Sequence, residues 1–332
     1  MIRIDFKIGQ GLGNQLWLFA VAKSVSEELG MNLKIENFKN FKGKDFLILD
    51  HKEIKQKSLK FNQKVSDKIL FNLFHERLFY DSNLKYILSG YDEKILKIKP
   101  NTILDGIFQS EKYFFGNLEK LKRYIRVRKS ILNSSPISKD TCILNIRGGE
   151  YKRHKDFILP KKYWEYAMDS FKYKFNIYKF IIVTDDYNYA KALFPKYQII
   201  CGDIGKCYAS IFNCRNIIVS NSSFAYFPCK TGLPKKVIAP MFWARPSNKN
   251  QKWISPCNIY SDWLWQDING KLHKYDYCLS LANETENFYK EKFTILINKK
   301  DIPSKGIFNF LTKKVKIYLK KFLSYIFPKH FG

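Results

Sequence analysis

The chain has few acidic residues and no long apolar run. Of its 332 residues, 30 are Asp or Glu and 58 are Lys or Arg, so the formal net charge is +28. The absence of any run of about 18 uncharged apolar residues predicts that no helix spans a membrane. The first residues lack a basic segment followed by an apolar one, so we expect no cleavable signal. These features favour a cytoplasmic protein.

The cysteines form no recognisable metal or disulfide pattern. There are seven, with no Cys-x-x-Cys pair and no Cys/His spacing of the zinc type. An odd number of cysteines favours free thiols in a reducing compartment. We therefore expect no metal site and no disulfide framework.

The excess of basic residues favours an anionic partner. Nucleic acid, an acidic membrane and a phosphorylated substrate all fit a net charge of +28. The 21 Tyr and 28 Phe residues could stack on bases, but no recognised nucleic-acid-binding motif is present, which makes nucleic acid the weakest of the three. An AT-rich genome would give the same composition, so charge alone does not choose among them.

Length and apolar content indicate two folded α/β units. Hydrophobic residues make up 45% of the chain, and 332 residues exceed the usual size of a single core. Residues 2–8 alternate as a strand, a glycine-bearing turn follows at 9–13, and 14–29 has helical spacing. Further strands are predicted at 142–146, 180–184, 198–201, 216–220 and 236–240, with helices between them. This alternation predicts parallel, doubly wound sheets; residues 38–100 give no clear elements.

The last segment of the chain has a different pattern. From residue 306, apolar residues such as Phe308, Leu311 and Val315 share one helical face, and lysines such as Lys313 and Lys320 lie on the other. This pattern predicts a basic amphipathic helix. Such a helix can lie on an anionic membrane surface, or it can pack its apolar face on the protein, and both alternatives stay open.

Polar residues cluster where predicted strands end, which is where parallel sheets bind ligands. Gly11 and Gly13 let a ligand approach the backbone closely, and Asn14 begins a helix whose free amides favour an oxygen-rich group. The pattern falls one glycine short of the dinucleotide fingerprint and lacks its acidic partner, so NAD is not expected. The four clusters are Gly9 to Gln15, Asn145 to Tyr151, Thr184 to Asp186 and Ser220 to Ser223.

The three later clusters contain groups suited to a nucleoside diphosphate. Arg147 follows a strand beside two glycines, and its guanidinium can bind a diphosphate bidentately, although a surface arginine is the plainer alternative. Asp185 and Asp186 can accept hydrogen bonds from a ribose or a base edge, or they can cap the next helix. Ser222 and Ser223 begin a helix and can hold a phosphate without a metal, or one of them can simply be an N-cap.

Five ordered blocks between residues 4 and 245 resemble the glycosyltransferase family 11 proteins. Arg147 stands where that family has the first arginine of its His-x-Arg-Arg-Gly-Asp-Tyr motif. The blocks are Gly11-Leu12-Gly13-Asn14-Gln15-Leu16, Phe108-Gln109-Ser110-Glu111-Lys112-Tyr113-Phe114, Asn145-x-Arg147 with Glu150-Tyr151 and Leu159-Pro160, Val183-Thr184-Asp185-Asp186, and Ile217 to Phe224 with Ile238-Ala239-Pro240 after it.

The resemblance implies a metal-independent, inverting glycosyltransferase that needs no cofactor. Its known activity is mainly alpha-1,2-fucosyl transfer from GDP-fucose to a carbohydrate hydroxyl. The implied architecture is GT-B-like, with an acceptor-side domain at 1–135, a nucleotide-sugar-binding domain at 136–285 and a C-terminal extension at 286–332. The expected partners are a nucleotide-sugar donor and a glycan or lipid-linked glycan acceptor. The implied setting is surface polysaccharide synthesis on the inner face of the membrane.

The resemblance also implies roles for individual residues. Arg147 would bind the diphosphate and stabilise the departing GDP, and Glu150, or alternatively Glu111, would be the catalytic base. Asp185 or Asp186 would hold the guanosine. The remaining donor-binding residues would be Asn145, Asn221, Ser222 and Ser223, and the residues bordering the cleft would be Gly11, Gly13, Asn14 and Gln15.

The chain departs from the family pattern at several of these positions. Asn145 replaces a histidine, Gly148 replaces the second arginine, and Glu150 replaces an aspartate. A Trp-Trp-Gly sequence is replaced by Ala225 to Pro228. Glycosyl transfer is therefore more strongly indicated than fucose as the sugar. A family member that binds nucleotide without turnover is the first alternative, and a basic nucleic-acid-binding protein is the second.

Overall fold

The structure, a computed structural model, describes residues 1–51, 71–81, 86–133, 135–153, 157–241, 257–292 and 295–296. The amphipathic helix predicted from residue 306 lies outside the described residues. Most described strands belong to two parallel sheets, one in each half of the chain.

The strands and helices are numbered in chain order. The strands are β1 Ile2–Asp5, β2 Leu33–Glu36, β3 Leu47–Leu49, β4 Asn72–His75, β5 Arg77–Asp81, β6 Tyr86–Gly90, β7 Thr102–Asp105, β8 Ile125–Val127, β9 Thr141–Ile146, β10 Lys179–Thr184, β11 Gln198–Cys201, β12 Asn216–Val219, β13 Lys236–Pro240, β14 Leu264–Gln266, β15 Leu272–His273 and β16 Ile295–Leu296. The helices are α1 Leu12–Glu28, α2 Lys120–Tyr124, α3 Lys129–Asn133, α4 Lys161–Phe175, α5 Tyr187–Leu193, α6 Ile204–Asn213, α7 Tyr226–Thr231 and α8 Tyr275–Lys292.

The first parallel sheet has the strand order β2-β1-β7-β4. The fully buried Ile2 and Ile4 of β1 belong to the same core as α1. Most of α1 is buried, because it packs against its own sheet and also contacts the second half of the chain. The other strands of this half belong to two smaller antiparallel sheets, β3-β8 and β16-β5-β6, and β16 comes from the second half of the chain.

The second sheet has the order β11-β10-β9-β12-β13-β14-β15 and is parallel except for the last pair. All six residues of the central strand β9 are buried. Side chains of α4 and α5 form one core with this sheet, and side chains of α6 and α7 form another. Burial on both faces explains why these strands appear in the sequence as continuous apolar runs.

The predicted α/β class with doubly wound parallel sheets is confirmed. The five strands predicted between residues 142 and 240 are neighbours in the second sheet, with ends within one residue of the prediction. The sequence does not predict β14 and β15, since strands of three and two residues are too short to show a period.

Aromatic side chains join the two halves into one continuous core. The Trp17 ring of α1 lies 4.2 Å from the Tyr226 ring of α7 and 5.8 Å from the Tyr260 ring, measured between centroids. Residues of both sheets belong to this core. α8 runs without interruption across residue 286, and the domain limits at 1–135, 136–285 and 286–332 stay predictions.

Candidate functional site

A cleft of about 770 Å³ lies where the two parallel sheets face each other. Its lining combines the loop after β1 with the loops after β9, β10 and β12, all of which follow the carboxyl ends of parallel strands. The predicted site residues that line it are Gly11, Gly13, Asn14, Asn145, Arg147, Glu150, Asp185, Asn221, Ser222 and Ser223. The fold therefore brings together residues that are far apart in the sequence.

The cleft coincides with the point where the second sheet reverses its winding. From β9 the chain adds β10 and β11 on one side, and then returns to add β12 and β13 on the other. The loops after β9 and β12 therefore diverge and leave a crevice between them. Arg147 lies in the first of these loops, and Asn221 lies in the second. This is where α/β sheets of this topology bind ligands.

Arg147 is fixed at the cleft by two neighbours. Its Nη1 lies 2.9 Å from Asp185 Oδ2, and its guanidinium lies 5.4 Å from the centre of the Tyr151 ring. The buried Nε atom has no hydrogen-bond partner among the described residues. Because a guanidinium has five N–H donors, Arg147 keeps donors for an anion while Asp185 orients it.

The two glycines after Arg147 allow its loop to approach the end of β10. A Cβ on Gly148 would lie 2.7 Å from the Cβ of Asp186, and a Cβ on Gly149 would collide with the Asp185 carboxylate. The Gly148 amide donates a hydrogen bond to Asp185 Oδ1 at 3.0 Å. This packing explains why glycine stands at position 148, where the resembling family has a second arginine.

Asp185 and Asp186 have different surroundings. Asp185 lines the cleft, whereas Asp186 caps α5 by accepting a hydrogen bond from the Tyr189 amide at 3.1 Å and pairs with Lys152. The hydrogen bond from Lys152 is the main cause that lowers the pKa of Asp186 below its ordinary value. The contacts of Asp186 are therefore those of a helix cap, which is the second of the two roles that the sequence allows for this residue.

The amino terminus of α1 carries the contact between the halves at the cleft. Asn14 Oδ1 accepts hydrogen bonds from Ser223 Oγ at 2.8 Å and from Gln109 Nε2 at 2.9 Å. Gln109 Oε1 in turn accepts from Asn258 Nδ2 at 3.0 Å. No described side chain caps α1, whose N-cap is Gly11, and the residues from Gly11 to Asn14 line the cleft.

Several polar atoms near the switch point have no partner among the described residues. The Asn145 side chain is buried and donates from Nδ2 to the Val183 carbonyl at 3.3 Å, but its Oδ1 has no partner. The same is true of Asn221 Oδ1 and Ser220 Oγ. Buried polar atoms are normally satisfied, so this cluster is suited to water or to a polar ligand.

Gln15 does not border the cleft, which corrects the prediction for this residue. It is fully buried, its Nε2 donates to the Asn40 carbonyl at 2.8 Å, and its Oε1 accepts from the Lys42 amide at 3.0 Å. Since both ends of its amide group are bound to backbone, Gln15 holds the segment at 40–42 against α1.

Glu111 is a structural residue, and its proposed role as an alternative base is wrong. It accepts hydrogen bonds from the Tyr226 hydroxyl at 2.9 Å and the Ser261 amide at 2.8 Å, and it pairs with Lys230 at 3.0 Å. It does not line the cleft. Glu150, in contrast, lines the cleft with an exposed side chain.

Sequence patterns leave several residues of the cleft without a role. Gln109 belongs to a block that resembles family 11, but the pattern assigns it no function. Tyr151, whose hydroxyl donates to the Asn221 carbonyl at 3.2 Å, also lies within such a block. Asn258, Lys42 and Phe157 carry no signal in the sequence, because they enter the lining through tertiary contacts alone.

The described part of the chain has neither a cluster of potential metal ligands nor a helix that could span a membrane. The described residues contain no group of three or more His, Cys, Asp or Glu side chains that could hold a metal ion. Within the same residues, no helix has the length and apolar character needed to cross a bilayer.

The chain has distant structural likenesses among known glycosyltransferases. No protein-family model and no curated protein sequence matches it. Fucosyltransferase NodZ from Bradyrhizobium is 14% identical with a TM-score of 0.38, covering 71% of this chain and 94% of that one. A family 9 glycosyl transferase from Veillonella parvula is 11% identical with a TM-score of 0.43, and the coverage is 88% and 97%. FUT1 of Arabidopsis thaliana in complex with GDP is 11% identical with a TM-score of 0.41, and the coverage is 72% and 69%.

Proposed function

We propose that this chain is a glycosyltransferase that moves a sugar from a GDP-sugar donor onto a carbohydrate hydroxyl. The observation that carries the proposal is the position of Arg147, oriented by Asp185 at the switch point of the second sheet and facing the cleft. The resemblance of the surrounding blocks to family 11 supports GDP as the nucleotide and L-fucose or a related sugar as the group transferred.

The proposed reaction is a single displacement with inversion at the anomeric carbon. The acceptor oxygen forms a bond to that carbon while the bond from the carbon to the phosphate oxygen breaks. The acceptor proton passes to the Glu150 carboxylate, and GDP leaves with an additional negative charge. The Arg147 guanidinium stabilises that charge, which is greatest in the transition state and in the product.

In this proposal the nucleoside of the donor binds at one end of the cleft, and the transferred sugar binds at the other. At one end Thr184, Gly202 and Ile204 form a partly apolar wall beside Asp185, which suits a nucleoside. Asp185 already accepts from Gly148 and pairs with Arg147, and its carboxylate keeps lone pairs for a ribose or a base. We assign the part of the cleft lined by Gly11, Gly13 and Asn14, at the start of α1, to the sugar and the acceptor.

The proposed acceptor is a glycan or a lipid-linked glycan in surface polysaccharide synthesis. The family resemblance supports this setting, and the basic segment from residue 306 supports contact with an anionic membrane at the cytoplasmic face. No metal is proposed, because Arg147 and helix-start amides supply the positive charge that the departing diphosphate needs.

The test is a calorimetric titration of the full chain with GDP, UDP, CDP and ADP in the presence of a chelator. We expect selective GDP binding that is lost in Arg147→Ala. The matched control is Arg123→Ala, because Arg123 is an exposed arginine paired with Glu27 at 2.8 Å and lies away from the cleft. Preference for another nucleotide, or equal losses in both variants, would contradict the proposed donor site.

Turnover is tested separately from binding. The replacement of a histidine by Asn145 and of an arginine by Gly148 favours the alternative that the chain binds nucleotide without transferring a sugar. Release of GDP from GDP-fucose and from other GDP-sugars, measured with and without simple glycan acceptors, distinguishes the two. GDP binding with no release from any donor would establish the alternative.

A further inference from the structure

Another cavity, of about 340 Å³, lies at the amino ends of the strands of the second sheet, opposite to the cleft. It is lined by Lys139, Ile177, Arg215, Asn216, Lys235 and Lys236. Asn216 begins β12 and Lys236 begins β13, so the cavity is at the amino ends of strands whose carboxyl ends face the cleft. A strand of four residues is about 13 Å long, so the two sites are separate.

The charge of this cavity is entirely positive. Four of the six lining residues are cations, and none is acidic. None of these four cations forms an ion pair with another described residue, whereas the nearby Lys179 is neutralised by Asp140 at 2.7 Å. Because like charges repel one another, an anion in the cavity would relieve the repulsion. Arg215 is half-buried and still lacks an acidic partner within the described part of the chain.

The cations are attached to a firmly bonded backbone. The Asn216 side chain donates from Nδ2 to the carbonyls of Lys139 at 3.0 Å and Thr141 at 3.4 Å. The amides of Lys235 and Lys236 both donate to the Arg215 carbonyl, at 2.9 and 3.2 Å. These bonds hold the chain segments at 139, 215 and 235–236 together. They therefore fix the backbone positions from which the four basic side chains extend.

We propose that this cavity binds a phosphate group. Arg215 offers the planar donor fork that matches two phosphate oxygens, and three lysines around it supply point charges. The phosphate can belong to an anionic lipid headgroup or to a soluble phosphorylated molecule, since both present the same oxygens. The site goes beyond the proposed transferase function, and it binds its phosphate whether or not the cleft binds GDP.

The deciding experiment measures inorganic phosphate binding by ³¹P NMR titration of the full chain carrying Arg147→Ala, which removes the main cation of the cleft. In this background we compare two double variants. The first pair of substitutions is Arg215→Gln and Lys236→Gln, and the second pair is Lys94→Gln and Arg126→Gln. The second pair removes the same charge from exposed positions outside the cavity. The first pair should weaken phosphate binding about tenfold or more, since it removes the charged hydrogen bonds that Arg215 would donate, and the second pair should leave it within about twofold.

A sedimentation assay with vesicles identifies the source of the phosphate. The same variants are mixed with phosphatidylcholine vesicles and with vesicles that also contain phosphatidylglycerol. Loss of binding to the anionic vesicles in the first pair alone, together with the weaker phosphate binding, assigns a lipid headgroup. Weaker phosphate binding with unchanged vesicle binding assigns a soluble phosphate, and the vesicle binding then comes from elsewhere on the chain, such as the basic segment from residue 306. Three results overturn the site whatever the vesicles show. They are no detectable phosphate binding, phosphate binding that is unchanged by the first pair of substitutions, and phosphate binding that both pairs weaken equally.

Discussion

The Ser223 hydroxyl donates a hydrogen bond to Asn14 Oδ1 at 2.8 Å across 209 positions of sequence. This bond joins the start of α1 in the first half to the loop after β12 in the second, at the wall of the cleft. The hydroxyl proton of Ser223 is therefore used to hold the two halves together. The shape of the cleft wall at this point therefore depends on how the two halves of the chain pack against each other.

Gly13 lets the two halves approach this closely, and Gly13→Ala should destabilise the protein. A Cβ at position 13 would lie 2.5 Å from the carbonyl carbon of Ser223, a backbone atom that cannot rotate away. We expect a loss of about 1–3 kcal/mol in the free energy of unfolding, as for other overpacked sites. Urea denaturation followed by tryptophan fluorescence measures it.

The neighbouring glycine provides the control for this prediction. Gly11 is in an extended conformation with φ −68°, and a Cβ there would meet nothing within 4 Å. Gly11→Ala should therefore change the unfolding free energy by less than about 1 kcal/mol, because the poorer N-capping by alanine is offset by the lower entropy of the unfolded chain. If the two alanine variants unfold at the same urea concentration, the close contact at Gly13 is not important for stability.

Tyr151 should act as a positioning residue for Arg147. Its ring lies 5.4 Å from the Arg147 guanidinium, and its hydroxyl donates to the Asn221 carbonyl at 3.2 Å, so it links the loops on both sides of the switch point. Tyr151→Phe keeps the ring and loses one hydrogen bond, which should weaken GDP binding about two- to tenfold. Tyr151→Leu also loses the ring and should weaken it further.

Calorimetry with GDP measures both substitutions, and salt dependence separates a positioning role from a structural one. If Tyr151 orients Arg147, the Leu variant should show a smaller loss of GDP affinity with rising salt than the unmodified chain, because the guanidinium no longer engages the phosphates. Equal affinities for GDP in the Phe and Leu variants would exclude a role for the ring.

Continuous apolar runs and strand-end motifs make much of the second half predictable from sequence. The residues of β9, β10 and β12 are apolar because the strands are buried on both faces, and the polar loops after them reach a common edge of the sheet. The sequence alone therefore predicts that Arg147 and Asn221 lie at the same edge. Their position at the switch point depends on the strand order, which the sequence does not specify.

Tertiary contacts determine what the sequence does not reveal. The sequence does not distinguish Asp185 from Asp186, because the difference lies in which carboxylate Arg147 and Lys152 reach. Similarly, Glu111 lies in a block that resembles a known motif, so the sequence allows it to be a catalytic carboxylate. Only its contacts with the distant Tyr226 and Lys230 show that it is structural. Partners more than a hundred positions away leave no periodic signal in a single sequence.

Glu150→Gln should abolish transfer without abolishing donor binding. If Glu150 accepts the acceptor proton, its neutral amide cannot, and kcat should fall about 10²- to 10⁴-fold while GDP affinity stays nearly constant. Sugar transfer from the donor identified by screening measures the first quantity, and calorimetry measures the second. Unchanged kcat in this variant would remove Glu150 from the mechanism.

The comparison variant is Glu111→Gln, which changes the same group at a position away from the cleft. Glu111 and Lys230 are both largely buried, with side-chain exposures of 10% and 9%. Glu111→Gln leaves the Lys230 ammonium with the Ser261 oxygens but without its closest carboxylate, so we expect a loss of about 3–5 kcal/mol in stability. Fully folded Glu111→Gln protein should keep normal kcat, in contrast to Glu150→Gln.

The cysteines should differ sharply in reactivity. All seven are free, and Cys201 is the exposed one. Burial raises the pKa of Cys207 to about 12, so almost none of this cleft-lining thiol is thiolate at neutral pH. A disulfide reagent should label one thiol of the native chain rapidly, and Cys201→Ser should remove that fast phase. A fast phase that survives in Cys201→Ser but disappears in Cys207→Ser would mean that the cleft thiol is accessible.

Asp186 should contribute to stability in a way that depends on pH. Hydrogen bonding to Lys152 lowers the pKa of Asp186 from its ordinary value of 3.8. A lowered pKa in the folded state means that the contribution is fully present above about pH 4 and is lost as the pH falls through the folded value. Asp186→Asn keeps a capping oxygen and removes the charge, so it isolates this contribution.

Urea denaturation of Asp186→Asn and Asp186→Ala at pH 7 and pH 3 tests this account. At pH 7 the Asn variant should lose about 0.2–1 kcal/mol, a modest amount because Lys152 is half-exposed and its charge is screened. The Ala variant should lose about 1 kcal/mol more, because the Tyr189 amide loses its cap. Near pH 3 the gap between the Asn variant and the unmodified chain should narrow, while the gap between the two variants should persist. A gap between the Asn variant and the unmodified chain that widens on acidification would show that the sign of the pKa shift is opposite to the one the Lys152 contact requires.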